Sequence, residues 1–263
     1  MSAVLLDERI VHYEVLGRGR PVIFLHGWVG SWRYWIPAMQ TVAISFRAYA
    51  LDLWGFGDTT HDTSSYSLDK QTNLLERFLL EMGIGKVAMV GHGLGGLVAM
   101  LFARKNPSMV DRILLADVPL EAKDVAARLR SPASPADLTD WLLSRDLISD
   151  PIRVDAAKLD PQAIIVSMNN LGTLNFPSIV NQLQIPCLFT HGQNDPAIAV
   201  PTEDWQATMP MLMHYIPLEQ SGHFPMLDES SRFNRLMGDF LGLESGVSPR
   251  DLLLKDEWKR RVR

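Results

Sequence analysis

Five short clusters in this chain hold residue types able to move protons or stabilise charge. They are His26-Gly27-Trp28, the stretch VGHGLGG from Val90 to Gly96, Asp117, HGQND from His191 to Asp195, and SGHFP from Ser221 to Pro225. Histidine and carboxylate side chains are the common general bases and acids near neutral pH, which makes His223, Asp195 and Asp117 candidates for proton transfer. The glycine stretch poses a different question. Gly91 and Gly95 satisfy the G-x-S-x-G pattern of a strand-to-helix turn that presents a nucleophile, but Gly93 stands in the serine position. At such a turn the chain reverses sharply into a helix and backbone passes close to backbone, which requires small residues at Gly91 and Gly95. Gly93 keeps the turn and supplies no Oγ to attack a carbonyl.

The elements that must position these clusters are short apolar runs. Val22 to Leu25 leads into His26, Ala48 to Leu51 into Asp52, Val87 to Val90 into the glycine turn, Ile113 to Leu115 towards Asp117, and Cys187 to Thr190 into His191. Runs of this kind suit strands buried on both faces, and Ile10 to Val15 alternates as a further strand. Leu68 to Met82 and Leu94 to Lys105 have helical length and pattern. Alternation of strand and helix predicts an α/β fold with a mostly parallel sheet, whose ligands bind beyond the carboxyl ends of the strands. The clusters lie there.

Between Val118 and Ile185 the strand runs stop. Helical patterns at Ala122 to Leu129, Asp137 to Arg145 and Pro161 to Asn170 are separated by SPASP at Ser131 to Pro135 and by Asp150-Pro151. The predicted organisation is a core of residues 1–118 and 185–246, a helical cap of 119–184 and a tail of 247–263. Trp141, Met168, Leu171 and Phe176 either line a pocket under the cap or pack its helices together.

Composition narrows the function. The 263 residues are 47% hydrophobic and 21% charged with a net charge of −5, which gives no basic field for nucleic acid. The opening MSAVLLDERI lacks the pattern of a secretory signal, and Val87 to Ala103, free of Asp, Glu, Lys and Arg, falls short of the roughly 20 apolar residues of a membrane span. A cytoplasmic protein without membrane or nucleic-acid partners is expected, acting on a small molecule. Oligomeric state is left open. The single cysteine, Cys187, sits in an apolar strand pattern and reads as a small core residue. The Gly55-Phe56-Gly57 turn lacks the spacing and lysine of a phosphate loop, and Trp258 to Arg263 form a basic tail that docks on its own domain or on a partner.

Taken in order, HGW, DLWGFGD at Asp52 to Asp58, the glycine turn, HGQND and SGHF resemble the α/β-hydrolase-fold superfamily of the esterase, epoxide hydrolase and C–C hydrolase type, from about Ile10 to Leu241. The resemblance implies an eight-stranded sheet and an inserted helical cap. It also implies Asp195 orienting His223 as base, Gly93 at the nucleophile position, and an oxyanion hole from the backbone N–H groups of Trp28 and Leu94. Asp117 occupies a second place where related enzymes carry the acid. No metal or cofactor is implied. His26 is expected to tie down its own loop, and His92 to point away from the substrate. Four readings of Gly93 remain open: water activation or proton abstraction by His223 without a covalent intermediate, a non-catalytic binding or sensory protein, a serine hydrolase inactivated by substitution, and an interaction protein using its tail.

Overall fold

Eight strands form one sheet in the order β1-β2-β4-β3-β5-β6-β7-β8. The computed structural model describes residues 2–131, 134–143 and 150–252; Arg145 and the basic stretch Trp258 to Arg263 lie outside these. The strands are β1 Ser2–Leu6, β2 Arg9–Gly17, β3 Arg20–Leu25, β4 Phe46–Leu51, β5 Val87–His92, β6 Val110–Ala116, β7 Cys187–Gly192 and β8 Met213–Leu218. From β4 onward across the sheet every pairing is parallel, while β1 on β2 and β2 on β4 are antiparallel. β1 carries no buried-run signal because it is an edge strand with only Leu6 buried. β8 is the other edge, where Pro217 is tolerated because no further strand needs its missing N–H.

The core helices α1 Ile36–Val42, α2 Leu68–Glu81, α3 Leu94–Lys105 and α11 Ser230–Gly242 flank the sheet. α3 is buried from Leu94 to Ala103, so its sequence is apolar on all sides rather than striped. β3 and β5 are neighbours although β4 lies between them in the chain, so the connections diverge there. Open α/β sheets place their ligands at such a switch point, and the loops carrying Trp28 and Gly93 follow the ends of β3 and β5 there.

Between β6 and β7 the described chain forms a short 3-10 turn, Ala122–Asp124, and five helices: α4 Ala127–Arg130, α5 Pro135–Leu142, α6 Asp150–Ala156, α7 Pro161–Leu171 and α8 Phe176–Gln182. Asp150-Pro151, read from sequence as a separator, opens α6 instead, consistent with proline's fit to a first helical turn. Asp160 caps α7 by accepting from the Gln162 amide, and Asn175 caps α8 by accepting from Ser178. These helices rest on the loops after β3 and β4. The Asp155 carboxylate, almost fully buried, bonds Ser31 and, at 3.0 Å, Arg33 Nε, and Lys158 meets Asp58 at 2.6 Å. Met168, Leu171 and Phe176 are buried, whereas Trp141 is half-buried with the Arg128 guanidinium 5.1 Å from its ring centre. No helix among the described residues is long and apolar enough to cross a membrane. After β7, α9 Glu203–Ala207 precedes β8, and α10 Pro225–Asp228 precedes α11.

Candidate active site

β5 ends at His92 and α3 begins at Leu94, leaving Gly93 alone to turn the chain, with φ 47° and ψ −111°. A Cβ on Gly91 would stand 2.6 Å from Gly96 Cα, and one on Gly95 would stand 2.3 Å from the Leu25 carbonyl oxygen. Both positions exclude any side chain, which explains the spacing in the sequence. The turn's amides are largely committed: Gly93 donates to Ala116 O, Gly95 to His26 O, and Gly96 and Leu97 to Gly93 O. Among the described residues the Leu94 amide has no protein acceptor, nor has that of Trp28. Free amides on these two loops are what charge stabilisation at a helix N-terminus requires.

Two histidines build the floor. His26 donates through Nδ1 to Gly27 O at 2.8 Å and accepts the Leu53 amide at Nε2, tying its own loop to that of β4. Tyr34 accepts the Gly27 amide at 2.6 Å, leaving its proton for His92 Nδ1 at 2.9 Å. Burial lowers the pKa of both histidines, that of His92 far below the ordinary value, so both are neutral here. His92 lies edge-on against the His223 ring, with centroids 4.8 Å apart.

His223 and Asp195 come from separate loops and meet with both side chains fully buried. His223 Nδ1 lies 2.9 Å from Asp195 Oδ2, and Asp195 Oδ1 accepts the Ala197 amide at 2.7 Å. Burial works against the Asp195 charge, but the His223 charge and hydrogen bond, with the Ala197 amide, outweigh it and hold the carboxyl below its usual value. His223 Nε2 is buried without a partner among the described residues. An imidazole held at Nδ1 by a carboxylate, with Nε2 unengaged, can act as a general base.

Asp117, the alternative acid, does not pair with His223. It accepts the Gly192 amide at 2.9 Å, and its other oxygen is buried without a partner. Asp52 is absorbed into its loop, accepting from Trp32 N, Asp58 N and His12 Nδ1. Cys187 is fully buried, which pushes its thiol far up and rules it out as a nucleophile.

Two supports lay beyond the sequence motifs. Trp28 Nε1 donates at 2.9 Å to Ser167 Oγ on α7, and that hydroxyl donates in turn to Ala163 O. Such a pairing across 139 residues has no local signature. Asp228 and Glu229, at the α10–α11 junction, hold the loop before His223: Asp228 accepts the Gly222 amide, and Glu229 accepts the Gln220 amide and the Ser221 hydroxyl. Two groups have donor atoms close enough for one cation, His12–Asp52–Asp58 and Asp117–His191–Asp195. In the first, His12 is bound to Asp52 and Asp58 to Lys158; in the second, Asp195 is bound to His223.

The sequence model of the alpha/beta hydrolase family matches residues 22–236. A soluble epoxide hydrolase from Corynebacterium sp. (strain C12) is 32% identical over 108 residues, an alignment spanning 41% of this chain and 38% of that protein. A pimeloyl-acyl-carrier-protein methyl ester esterase from Legionella pneumophila (strain Corby) is 24% identical over 88% of this chain and 99% of that protein. Among solved structures, a serine-to-glycine mutant of an N-acyl homoserine lactonase complexed with N-hexanoyl homoserine lactone superposes with a TM-score of 0.80 at 18% identity, covering 91% of this chain and 96% of that one.

Proposed function

The chain belongs to the alpha/beta hydrolase family, and from that premise we propose that its pocket takes a small, largely apolar ester or related carbonyl compound at the switch point above Gly93. The observation that carries this reading is the His223–Asp195 contact of 2.9 Å with His223 Nε2 buried and unengaged. In the proposed mechanism the substrate carbonyl oxygen sits between the Trp28 and Leu94 amides. His223 Nε2 removes a proton from water as that water attacks the carbonyl carbon, and then returns the proton to the leaving alkoxide. Asp195 keeps the ring oriented and stabilises the imidazolium. Gly93 offers no Oγ, so no acyl-enzyme forms. Helices α4 to α8 act as the cap, and the apolar character of Trp28, Leu94 and the α7 face carrying Met168 favours an apolar acyl or alcohol group.

The absence of any side chain at position 93 favours a second reading, a protein that binds such a compound without turning it over. Purified protein and its Gly93→Ser form, assayed on a panel of short acyl esters by stopped flow, separate the two. The hydrolytic reading expects slow turnover without a burst from the parent, and a burst from the serine form. In subtilisin, loss of the serine costs about 10⁶ in kcat but leaves roughly 10³–10⁴ over water. A folded serine form as inert as its parent overturns hydrolytic geometry and leaves the binding reading.

A further inference from the structure

Asp117 is a buried carboxyl group that the proposed mechanism does not use. It follows β6 directly, in a left-handed conformation with φ 47°, and is fully buried. One carboxyl oxygen accepts the Gly192 amide; the other has no partner. Donor atoms of Asp117, His191 and Asp195 all lie within 4.8 Å of one another. His191 Nε2 is 3.6 Å from Asp117 Oδ1 but 3.1 Å from the Ile198 carbonyl, to which it donates.

Two buried carboxyl groups this close cannot both ionise readily, and the charge settles on the one with better partners. Asp195 has His223 and the Ala197 amide; Asp117 has a single amide. We propose that Asp117 is a neutral carboxylic acid whose Oδ2–H is directed at the ionised Asp195, making it a positioning residue for the Asp195–His223 pair. Other titratable groups bearing on Asp117 are His191 from β7, Asp228 from α10, and Tyr34 and Tyr215. Burial and the neighbouring Asp195 charge both push Asp117 far above the usual carboxylate range, while Asp195 moves the other way. The positioning role rests on the dyad reading above; the protonation does not.

Infrared spectroscopy of the full chain at pH 7, with carboxyl-labelled aspartate, tests the protonation. Asp117→Asn keeps a side chain that tolerates a left-handed backbone and retains a neutral donor. The expected result is a protonated-aspartate carbonyl band in the parent that disappears in Asp117→Asn, with no loss of carboxylate intensity. Loss of a carboxylate band instead overturns the proposal. If the variant does not fold, a pH series on the parent decides: a protonated aspartate band persisting at pH 7 supports the proposal, and its absence overturns it.

The positioning role is read from the His223 ring signals by NMR. Asp117→Asn should move their titration midpoint by less than about half a unit, because it removes no charge, whereas Asp117→Ala, which strips Asp195 of a donor, should raise it. A fall of about one unit or more in Asp117→Asn, the effect of deleting a nearby negative charge, overturns protonation. Equal behaviour of the Asn and Ala forms overturns positioning. None of these readings depends on ester turnover, so they stand or fall separately from the proposed hydrolysis.

Discussion

The Trp28 ring stands so close to Gly93 that a Cβ built on the glycine would lie 3.1 Å from Trp28 Cζ3 and 3.2 Å from Cε3. Trp28 is fully buried and its indole nitrogen is tied to Ser167, so the ring has little freedom to yield. Gly93→Ala should therefore cost the positive-φ penalty of about 1–3 kcal/mol plus a steric term that Trp28→Leu relieves. Thermal melting of the two single variants and the double variant measures that term. The double should be less unstable than the sum of the singles by about 0.5 kcal/mol or more, the usual scale for residues in contact. Additive losses would mean the indole yields freely and leaves room for a serine at no steric cost beyond that of the positive φ.

Much of this site is legible in the sequence because its parts obey local rules. Gly91 and Gly95 are fixed by backbone contacts within one turn and with the adjacent strand, and the helix Leu94–Lys105 begins and ends where its apolar pattern does. His223 and Asp195 are found from the loops that follow β8 and β7. What the sequence conceals is non-local. The Trp28–Ser167 bond, the Asp228 and Glu229 carboxylates behind the His223 loop, and the contact of His92 with His223 join segments whose spacing obeys no periodicity. α6 and α8 were missed for another reason. Each is only seven residues long, too short for a periodic pattern to stand out, and at α6 Asp150-Pro151 reads as a separator where its proline serves as a first-turn residue.

Asp195→Asn should leave the fold intact and remove the residual chemistry. The amide can still meet His223 Nδ1, but it cannot stabilise the imidazolium, and it can present N–H to Nδ1 and reverse the tautomer. Loss of the equivalent charge in a serine protease triad costs about 10⁴ in kcat. For a reaction already lacking its nucleophile, a fall of about 10² or more in ester turnover is expected, with binding of a non-hydrolysable ester analogue changed less than tenfold. Calorimetric titration beside the kinetic assay checks both. Undiminished turnover would remove Asp195 from the mechanism.

Asp117 makes stability depend on pH in a direction opposite to the usual carboxylate. Its folded pKa is raised, so between the unfolded value near 4 and the folded value the native chain holds a proton that the unfolded chain releases. Stability from this group is complete below about pH 4 and is lost as pH rises towards the folded pKa, by up to about 1.4 kcal/mol per unit. His92, with its pKa lowered by burial, acts the other way, since its contribution is present above about pH 6.5 and is lost as pH falls. Melting curves for the parent and Asp117→Asn at pH 4 to 8 isolate the first effect. The variant should gain on the parent steadily as pH rises; a constant difference would show that Asp117 is ionised in the native chain.

Ser167 should be the residue through which α7 governs the loop of Trp28. Its hydroxyl accepts the indole N–H and donates to Ala163 O within α7, so Ser167→Ala leaves a buried donor without an acceptor. That loss costs about 1–3 kcal/mol, and at roughly 2–4 °C per kcal/mol for a chain of this size the midpoint should fall by several degrees. Ser167→Thr keeps a hydroxyl and should lose less. The indole N–H signal of Trp28 is the specific readout, because in Ser167→Ala it should exchange with solvent faster while signals in α3 stay protected. If the ring then shifts from Gly93, the ester-analogue affinity should fall in step with the loss of protection. An alanine variant that melts lower but keeps both the Trp28 signal and the affinity would place the cost elsewhere in α7, and the helix would no longer be the element that holds the indole over Gly93.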